Sequence, residues 1–208
     1  SIDYLFLTHA NFGHVDGLGL FGKETMNAKG ISLHCSKIML DLIERTPNWS
    51  ILLSEGVFFP RTAPFVQLPG VSVEAVEVPH RSELSDMHAY LIKAEKTLLF
   101  LPDHDTWQET LREHDLRAWL NHLEVDIALI DGTFFSSNEL KHRRQEDVPH
   151  PPVSQTIAHL GTRLPNDAEV FFIHLNHTNP LYDKTSSAYR TVESMGWKIG
   201  IQGMKITL

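Results

Sequence analysis

Residues 4–14 read YLFLTHANFGH, in which an apolar run stops at a loop carrying two histidines five positions apart. The run predicts a short buried strand, because it is uninterrupted and ends at polar and glycine residues. The same transition recurs further along the chain. Those apolar runs stop at Pro79-His80, at Pro102-Asp103-His104-Asp105, at Asp131 and at His174-Leu175-Asn176-His177. Predicted strands therefore end repeatedly in side chains that bind metal ions or move protons.

Apolar runs alternate with stretches of helical spacing over the whole chain, a pattern typical of a layered α/β fold. The predicted strands are Ile2–Thr8, Ile31–His34, Val71–Val78, Ala89–Ala94, Thr97–Leu101, Val125–Ile130, Val170–Ile173 and Lys198–Leu208. The predicted helices are Val15–Met26, Ser36–Arg45, Thr106–His122, Val153–Arg163 and Ser186–Met195. Residues 94–96 predict the turn of an antiparallel hairpin, so we expect a mixed sheet. No repeat or long linker divides the sequence, which predicts one domain over residues 1–208.

Composition excludes several classes of protein. The 208 residues include 42% hydrophobic and 21% charged residues, and no apolar run approaches the roughly 20 residues that a membrane span needs. The net charge is −8 and the basic residues form no block beyond Lys141-His142-Arg143-Arg144, so we expect no binding to duplex nucleic acid. The single cysteine, Cys35, excludes an intrachain disulfide and favours a cytoplasmic location.

The chain contains 13 histidines among 208 residues, an excess that indicates either a coincidence or a site for metal binding or acid/base chemistry. In open α/β sheets, ligands bind beyond the carboxyl ends of the strands, where the polar loops of this chain are predicted. Imidazoles and a carboxylate gathered there suit zinc or iron. Each residue also has an ordinary explanation, since Asp131 before Gly132-Thr133 can simply cap a turn. Five histidines have no supporting pattern and are predicted to be ordinary: His88, His114, His122, His142 and His159.

The order of these residues resembles the metallo-β-lactamase superfamily, whose first motif, His-x-His-x-Asp-His, follows an apolar strand. The matching stretch keeps His9 and His14 but has Asn11 for the middle histidine and Gly13 for the aspartate. The resemblance implies an α/β fold of the αββα sandwich type with mixed sheets and a metal site at one edge. It implies these metal ligands: His9, His14, His80, Asp103 and His174.

Finer motifs are similar to the pyrroloquinoline quinone biosynthesis protein B family, a branch of that superfamily. They are Asp131-Gly132-Thr133-Phe134-Phe135, Glu139-Leu140, Pro149-His150-Pro151, residues 172–180 (FIHLNHTNP) and Gly203-Met204. The family implies a small or peptide-derived substrate and an oxidative step, a hydroxylation. His177, Asp131 and His150 are the candidate catalytic residues, as groups that orient a ligand or shuttle a proton.

The two departures from the first motif weaken the expected site, because Asn11 offers only a neutral oxygen and Gly13 offers no side chain. One group of ligands retains His9, His80 and Asp103, and a second retains His14, His174 and Asp103. We therefore expect one or two divalent ions, zinc or iron, per chain.

Three functions remain open from the sequence. The first is a metal-dependent enzyme similar to protein B of the quinone pathway. The second is a zinc-dependent hydrolase of phosphodiester, thioester or lactone bonds, and the third is a non-catalytic binding protein whose metal site has decayed.

Domains of this superfamily usually begin with further strands ahead of the first motif, whereas this sequence starts at Ser1, close to the motif strand. Either the N-terminal strands are truncated or the first sheet is short. The resulting unprotected edge would favour pairing of two copies into a homodimer.

Overall fold

Two β-sheets form the centre of the computed structural model, which describes residues 2–80, 83–142 and 144–208. Arg143 of the basic block lies outside these described residues. The first sheet is parallel and contains β1 (Tyr4–Phe6), β2 (Ile31–His34) and β3 (Phe58–Arg61) in that order. The strands of the second sheet are β4 (Phe65–Leu68), β5 (Val71–Glu77), β6 (His88–Lys93), β7 (Thr97–Leu101), β8 (Ile127–Asp131), β9 (Glu169–Ile173) and β10 (Lys198–Ile199).

The seven-stranded sheet has the order β10-β9-β8-β7-β6-β5-β4 and is mixed, as predicted. Strands β4 to β7 pair antiparallel, whereas β7 to β10 pair parallel. The predicted hairpin joins β6 to β7, with Lys93 opposite Thr97 and the Ala94 amide donating to the Lys96 carbonyl at 3.0 Å.

Helices cover the outer face of each sheet. The helices are α1 (Phe12–Val15), α2 (Lys37–Arg45), α3 (Pro47–Ser54), α4 (Trp107–Leu111), α5 (Leu116–His122), α6 (Val153–Leu160) and α7 (Ser187–Ser194). The first three share a core with the three-stranded sheet around Leu33 and Ile43. The other four pack on the seven-stranded sheet around Leu99 and Phe172. This layering confirms the predicted αββα arrangement.

Contacts between the two sheets hold the end of β1 against β6. The Tyr90 hydroxyl donates to the Leu7 carbonyl at 2.5 Å, and the rings of Phe6 and Tyr90 meet edge to face at 5.4 Å. The His88 amide donates to the Thr8 carbonyl at 3.0 Å. The loop after β1 is therefore placed beside the edge of the larger sheet.

The single helix predicted over Thr106–His122 is wrong, because the segment carries two helix starts. The Thr106 hydroxyl accepts from the Glu109 amide to begin α4, and the Asp115 carboxylate accepts from the Ala118 amide at 2.7 Å to begin α5. Between them, Arg112 adopts φ +54° and ends α4. A second N-cap inside an apolar periodicity divides the helix there.

The remaining differences lie in short or irregular segments. In place of the predicted helix Val15–Met26, the chain forms α1 and a 3-10 helix over Asp16–Phe21, where glycines lower helix stability. The strand predicted over Lys198–Leu208 is confined to Lys198–Ile199. Helix α3, strands β3 and β4, and the 3-10 helices Gln145–Asp147 and Pro180–Tyr182 were not predicted. Both strands have only four residues, too few for a clear alternation of apolar and polar side chains.

Two further expectations concern the surface. The longest described helix, α2, has nine residues, and none of the helices in the described ranges is long and apolar enough to cross a membrane. Strand β1 lies at the edge of the three-stranded sheet. Pairing of two copies through this edge remains a prediction.

Candidate metal centre

Parallel pairing brings the ends of several strands to one edge of the seven-stranded sheet. Strands β7, β8 and β9 are parallel neighbours, with Asp131 opposite Ile173. Asp103 follows β7, Asp131 ends β8 and His174 follows β9. Because β5 and β7 both pair antiparallel with β6, they run in the same direction, and His80 after β5 reaches the same edge.

The other sheet contributes two histidines from the segment after β1. His9 lies in the loop and His14 lies in α1. The Ala10 amide donates to the buried Ser85 hydroxyl at 2.9 Å, which fastens this loop to the segment before β6. His9 and His14 therefore face the edge where Asp103 and His174 lie.

Two buried imidazoles and one buried carboxylate form the first ligand group. Asp103 Oδ2 lies 3.4 Å from His9 Nε2 and 3.5 Å from His80 Nε2. The exposed fractions are 1% for His9, 8% for His80 and 2% for Asp103. One ligand atom from each residue lies within 4.8 Å of the others, close enough to share one ion.

The second ligand group uses the same carboxylate oxygen. His14 Nε2 lies 3.6 Å from Asp103 Oδ2 and 3.2 Å from His174 Nε2. His14, Asp103 and His174 again offer ligand atoms within 4.8 Å of one another. The structure thus brings together all five predicted metal ligands, and Asp103 is common to both groups.

The ring nitrogen that points away from each group has a hydrogen-bonding neighbour. His80 Nδ1 lies 2.8 Å from Asp105 Oδ1, and His9 Nδ1 lies 3.1 Å from the Thr8 hydroxyl. His174 Nδ1 lies 2.7 Å from the Thr133 hydroxyl. Such outer partners set the orientation of an imidazole and direct its other nitrogen to the ion.

A buried nitrogen without a partner provides a test of whether a cation fits. His9 Nε2 is buried and makes no hydrogen bond within the part of the chain that the structure describes. Leaving a buried polar group unsatisfied costs about 1–3 kcal/mol. An ion bound with Asp103 and His80 would satisfy this nitrogen, so the donor set fits a divalent cation.

The pKa values of His14 and Asp103 are shifted in the directions that favour cation binding. Burial, together with His9 and His174, lowers the pKa of His14 to about 4, so its imidazole is neutral at pH 7. Burial alone would raise the pKa of Asp103, but its close contacts with the imidazoles of His150 and His9 outweigh burial and hold that pKa below its usual range. Neutral imidazoles and an ionised carboxylate are the protonation states that bind metal ions.

Asp131 and His150 are two of the candidate catalytic residues. His150 lies between Asp131 and Asp103 and contacts both carboxylates. His150 Nδ1 is 2.7 Å from Asp131 Oδ2 and 3.0 Å from Asp103 Oδ1. Burial lowers the pKa of His150, but its hydrogen bonds to the two carboxylates raise it to about 10. Asp131, His150 and His174 also form a third set of potential ligands.

The third candidate catalytic residue, His177, lies elsewhere. Its side chain is exposed and lines a surface cavity of about 680 Å³ with Glu139, Lys141, His142 and Thr178. None of the three ligand groups in the described ranges includes His177. The five histidines predicted to be ordinary are also absent from those groups.

Sequence reasoning missed the roles of Thr133, Asp105 and His104. Thr133 and Asp105 are the outer partners of His174 and His80, and their only signal was a position beside a strand end. His104 is fully buried against Trp107, with ring centroids 4.2 Å apart, and its amide donates to Asp131 Oδ2 at 3.3 Å. Burial lowers the pKa of His104 to about 4.

The two departures from the expected first motif have different surroundings. Asn11 Nδ2 lies 3.2 Å from Nε2 of His80, so Asn11 contacts a member of the first ligand group. Gly13 lines a cavity of about 440 Å³ together with His14 and His174. A Cβ placed on Gly13 meets no atom within 4 Å, so a side chain fits there.

We expect Gly13→Asp to strengthen the second ligand group by placing a carboxylate beside His14. The Kd for Zn²⁺, measured by competition with a chromophoric chelator, should fall about tenfold, or 1.4 kcal/mol. Gly17→Asp is the matched control, because a Cβ at Gly17 also meets no atom within 4 Å. An unchanged Kd for Gly13→Asp, or an equal gain for Gly17→Asp, would contradict the expectation.

Several known proteins are similar to this chain. A family model described as "Beta-lactamase superfamily domain" matches residues 1–175. The chain is 25% identical to a coenzyme PQQ synthesis protein B of Methylobacterium sp. strain 4-46, over 98% of this chain and 72% of the relative. It is 33% identical to the protein of the same name from Methylococcus capsulatus over 91 residues, covering 40% of this chain and 30% of the relative.

A solved structure has a similar fold. The crystal structure of Zn²⁺-bound PqqB from Methylobacterium extorquens matches with a TM-score of 0.76 and 19% identity, over 100% of this chain and 73% of that chain. The likeness shows that the two proteins share a fold.

Proposed function

Because this chain belongs to the beta-lactamase superfamily domain family, we propose that it is a metal-dependent enzyme acting on a small or peptide-derived substrate. The observation that carries the proposal is the environment of Asp103 Oδ2. Imidazole nitrogens of three histidines lie within 3.4–3.6 Å of this buried oxygen. The similarity to relatives named coenzyme PQQ synthesis protein B supports a proposed role in the synthesis of that coenzyme.

Five side chains would bind the metal ions as two ligand groups. His9, His80 and Asp103 would hold one ion, and His14 and His174 with the same carboxylate would hold another. A bound divalent ion supplies Lewis acidity, which polarises a substrate oxygen or lowers the pKa of a bound water.

The cavity beside His14 and His174 is the proposed substrate site. It has a volume of about 440 Å³ and opens onto the second ligand group. Phe6, Phe100 and Ile173 contribute an apolar wall that excludes water from one side of the bound substrate. The cavity is large enough for a small molecule and leaves the rest of a peptide-derived substrate in solvent.

Hydrolysis is a second candidate function, favoured by the sharing of Asp103 between two ligand groups. One carboxylate oxygen within reach of both imidazole pairs suits a pair of ions that act on one substrate. The oriented rings of His9, His80 and His174 support an intact centre over the third possibility, a decayed site in a binding protein.

Removal of the metal provides the test. Chelator treatment should abolish turnover, and addition of Zn²⁺ or Fe²⁺ should restore it, because the proposed chemistry depends on the ion. Oxygen uptake with iron would identify oxidation, whereas cleavage of phosphodiester, thioester or lactone substrates would identify hydrolysis. His122→Ala, at an exposed position outside the ligand groups, should bind metal like the parent. A parent protein that binds neither ion would contradict the proposal.

A further inference from the structure

His174 needs support from its surroundings to face the ligand groups. It follows β9 with φ +60°, a left-handed conformation that is uncommon for residues other than glycine. Its side chain is exposed, so packing alone does not hold the ring. The direction of His174 Nε2 therefore depends on hydrogen bonds from neighbouring loops.

The Thr133 hydroxyl determines which nitrogen of His174 carries the proton. Thr133 Oγ1 lies 2.7 Å from Asp131 Oδ1 and 2.7 Å from His174 Nδ1. An ionised carboxylate only accepts hydrogen bonds, so the single hydroxyl proton goes to Asp131. His174 Nδ1 must then donate to Thr133, which leaves Nε2 unprotonated and directed toward His14.

A buried amide holds the turn that carries Thr133. Asn179 is 3% exposed, and its Nδ2 donates to the Gly132 carbonyl at 2.7 Å and to the Thr133 carbonyl at 3.1 Å. Its Oδ1 accepts from the Leu181 amide at 2.9 Å. Both ends of the Asn179 amide are therefore used, and the loop after β9 is tied to the turn after β8.

The turn and the loop lie in close contact. The Gly132 amide donates to the Ile173 carbonyl at 2.8 Å, and the Asn176 amide donates to the Thr133 carbonyl at 3.0 Å. A Cβ on Gly132 would lie 2.9 Å from that Ile173 oxygen, so the approach requires glycine. The position of Thr133 relative to His174 is thus set by the contacts that Asn179 completes.

We infer that Asn179 is a positioning residue, which acts through Thr133 to set the ring orientation and the Nδ1–H tautomer of His174. The inference deepens the proposed function, because His174 is a proposed metal ligand. The same tautomer is expected in the metal-free protein, because the hydrogen bonds that set it involve no ion.

The first measurement is made on metal-free, ¹⁵N-labelled protein. Long-range ¹H–¹⁵N spectra of the parent should show His174 as the Nδ1–H tautomer. Thr133→Val, which removes the hydroxyl at nearly constant shape, and Asn179→Asp, which places a carboxylate against two carbonyls, should lose that preference. Thr133→Ser should retain it, because it keeps the hydroxyl. This readout does not depend on metal binding, so its result is separate from that of the proposed function.

The second measurement is Co²⁺ binding followed by visible absorption. Asn179→Asp and Thr133→Val should raise the Kd about 10- to 100-fold and change the absorption bands, while Thr133→Ser should behave like the parent. Thr185→Val is the matched control, because Thr185 donates to Asp183 in the same Asp-x-Thr arrangement and neither residue belongs to the ligand groups. It should leave the tautomer, the Kd and the bands unchanged.

Asn179→Ser adds no charge and replaces Asn179→Asp in the test if the latter does not fold. It should change the His174 tautomer and the Kd for Co²⁺ in the same direction but by less. A parent without the Nδ1–H tautomer would overturn the inference. So would folded Asn179 variants that keep the parent tautomer and Co²⁺ spectrum, since Asn179 would then have only a structural role.

Discussion

Asp103→Asn should strongly weaken metal binding, with the Kd for Zn²⁺ rising by about 100-fold or more, equivalent to about 2.7 kcal/mol. Asp103 Oδ2 belongs to both ligand groups, so one substitution removes the anionic ligand from each. The asparagine has nearly the same shape but offers only a neutral oxygen, a poor ligand for zinc. Competition titration with a chromophoric chelator measures the Kd, and elemental analysis gives the metal content of the purified protein.

The control for Asp103→Asn is His122→Ala, which lies on an exposed position of α5. Circular dichroism of each variant establishes that the fold is retained. Metal content in Asp103→Asn equal to that in the parent and in His122→Ala would contradict the placement of Asp103 at the centre.

Asp131→Ala should lower the free energy of unfolding by about 3–5 kcal/mol, because it removes one member of a buried ion pair. Asp131 is 1% exposed, and its carboxylate accepts from the amide and the hydroxyl of Thr133 and pairs with His150. Alanine would leave the buried amides of Thr133 and His104 without their acceptor. The midpoint of urea unfolding at pH 7, at constant slope, measures the loss.

Two further variants separate the ion pair from the loss of side-chain volume. Asp131→Asn, which keeps the shape and one acceptor, should fall between the parent and Asp131→Ala. Asp41→Ala, at an exposed aspartate on α2, should leave the midpoint close to that of the parent. A midpoint for Asp131→Ala that matches Asp41→Ala would show that the His150 pair contributes little to stability.

Much of the candidate site was predictable, because its residues follow apolar runs. The strands that precede Asp103, Asp131 and His174 are short and apolar, and such runs are visible in a sequence. Once these strands are parallel neighbours, their polar ends must meet at one edge. The resemblance to the superfamily added His9, His14 and His80 from the other segments.

The fold was less predictable where local signals are weak or compete. One apolar periodicity runs through both α4 and α5, so the sequence pattern predicted a single helix. The N-caps at Thr106 and Asp115 begin two separate helices instead. Strand β3, with the sequence Phe-Phe-Pro-Arg, depends on its parallel pairing with β2 rather than on its own pattern.

The sequence by itself predicted the αββα class, the edge of the sheet where the candidate ligands lie, and the five residues that meet there. The strand ends follow from apolar periodicity, whereas the αββα class and the full set of five residues follow from the resemblance of the motifs to the superfamily. The tertiary structure decided which side chains orient those five. Thr133 and His174 are 41 positions apart, and Asp131 and His150 are 19 apart. A hydrogen bond over such separations depends on distances of a few tenths of an ångström between packed loops, and no local pattern specifies these distances.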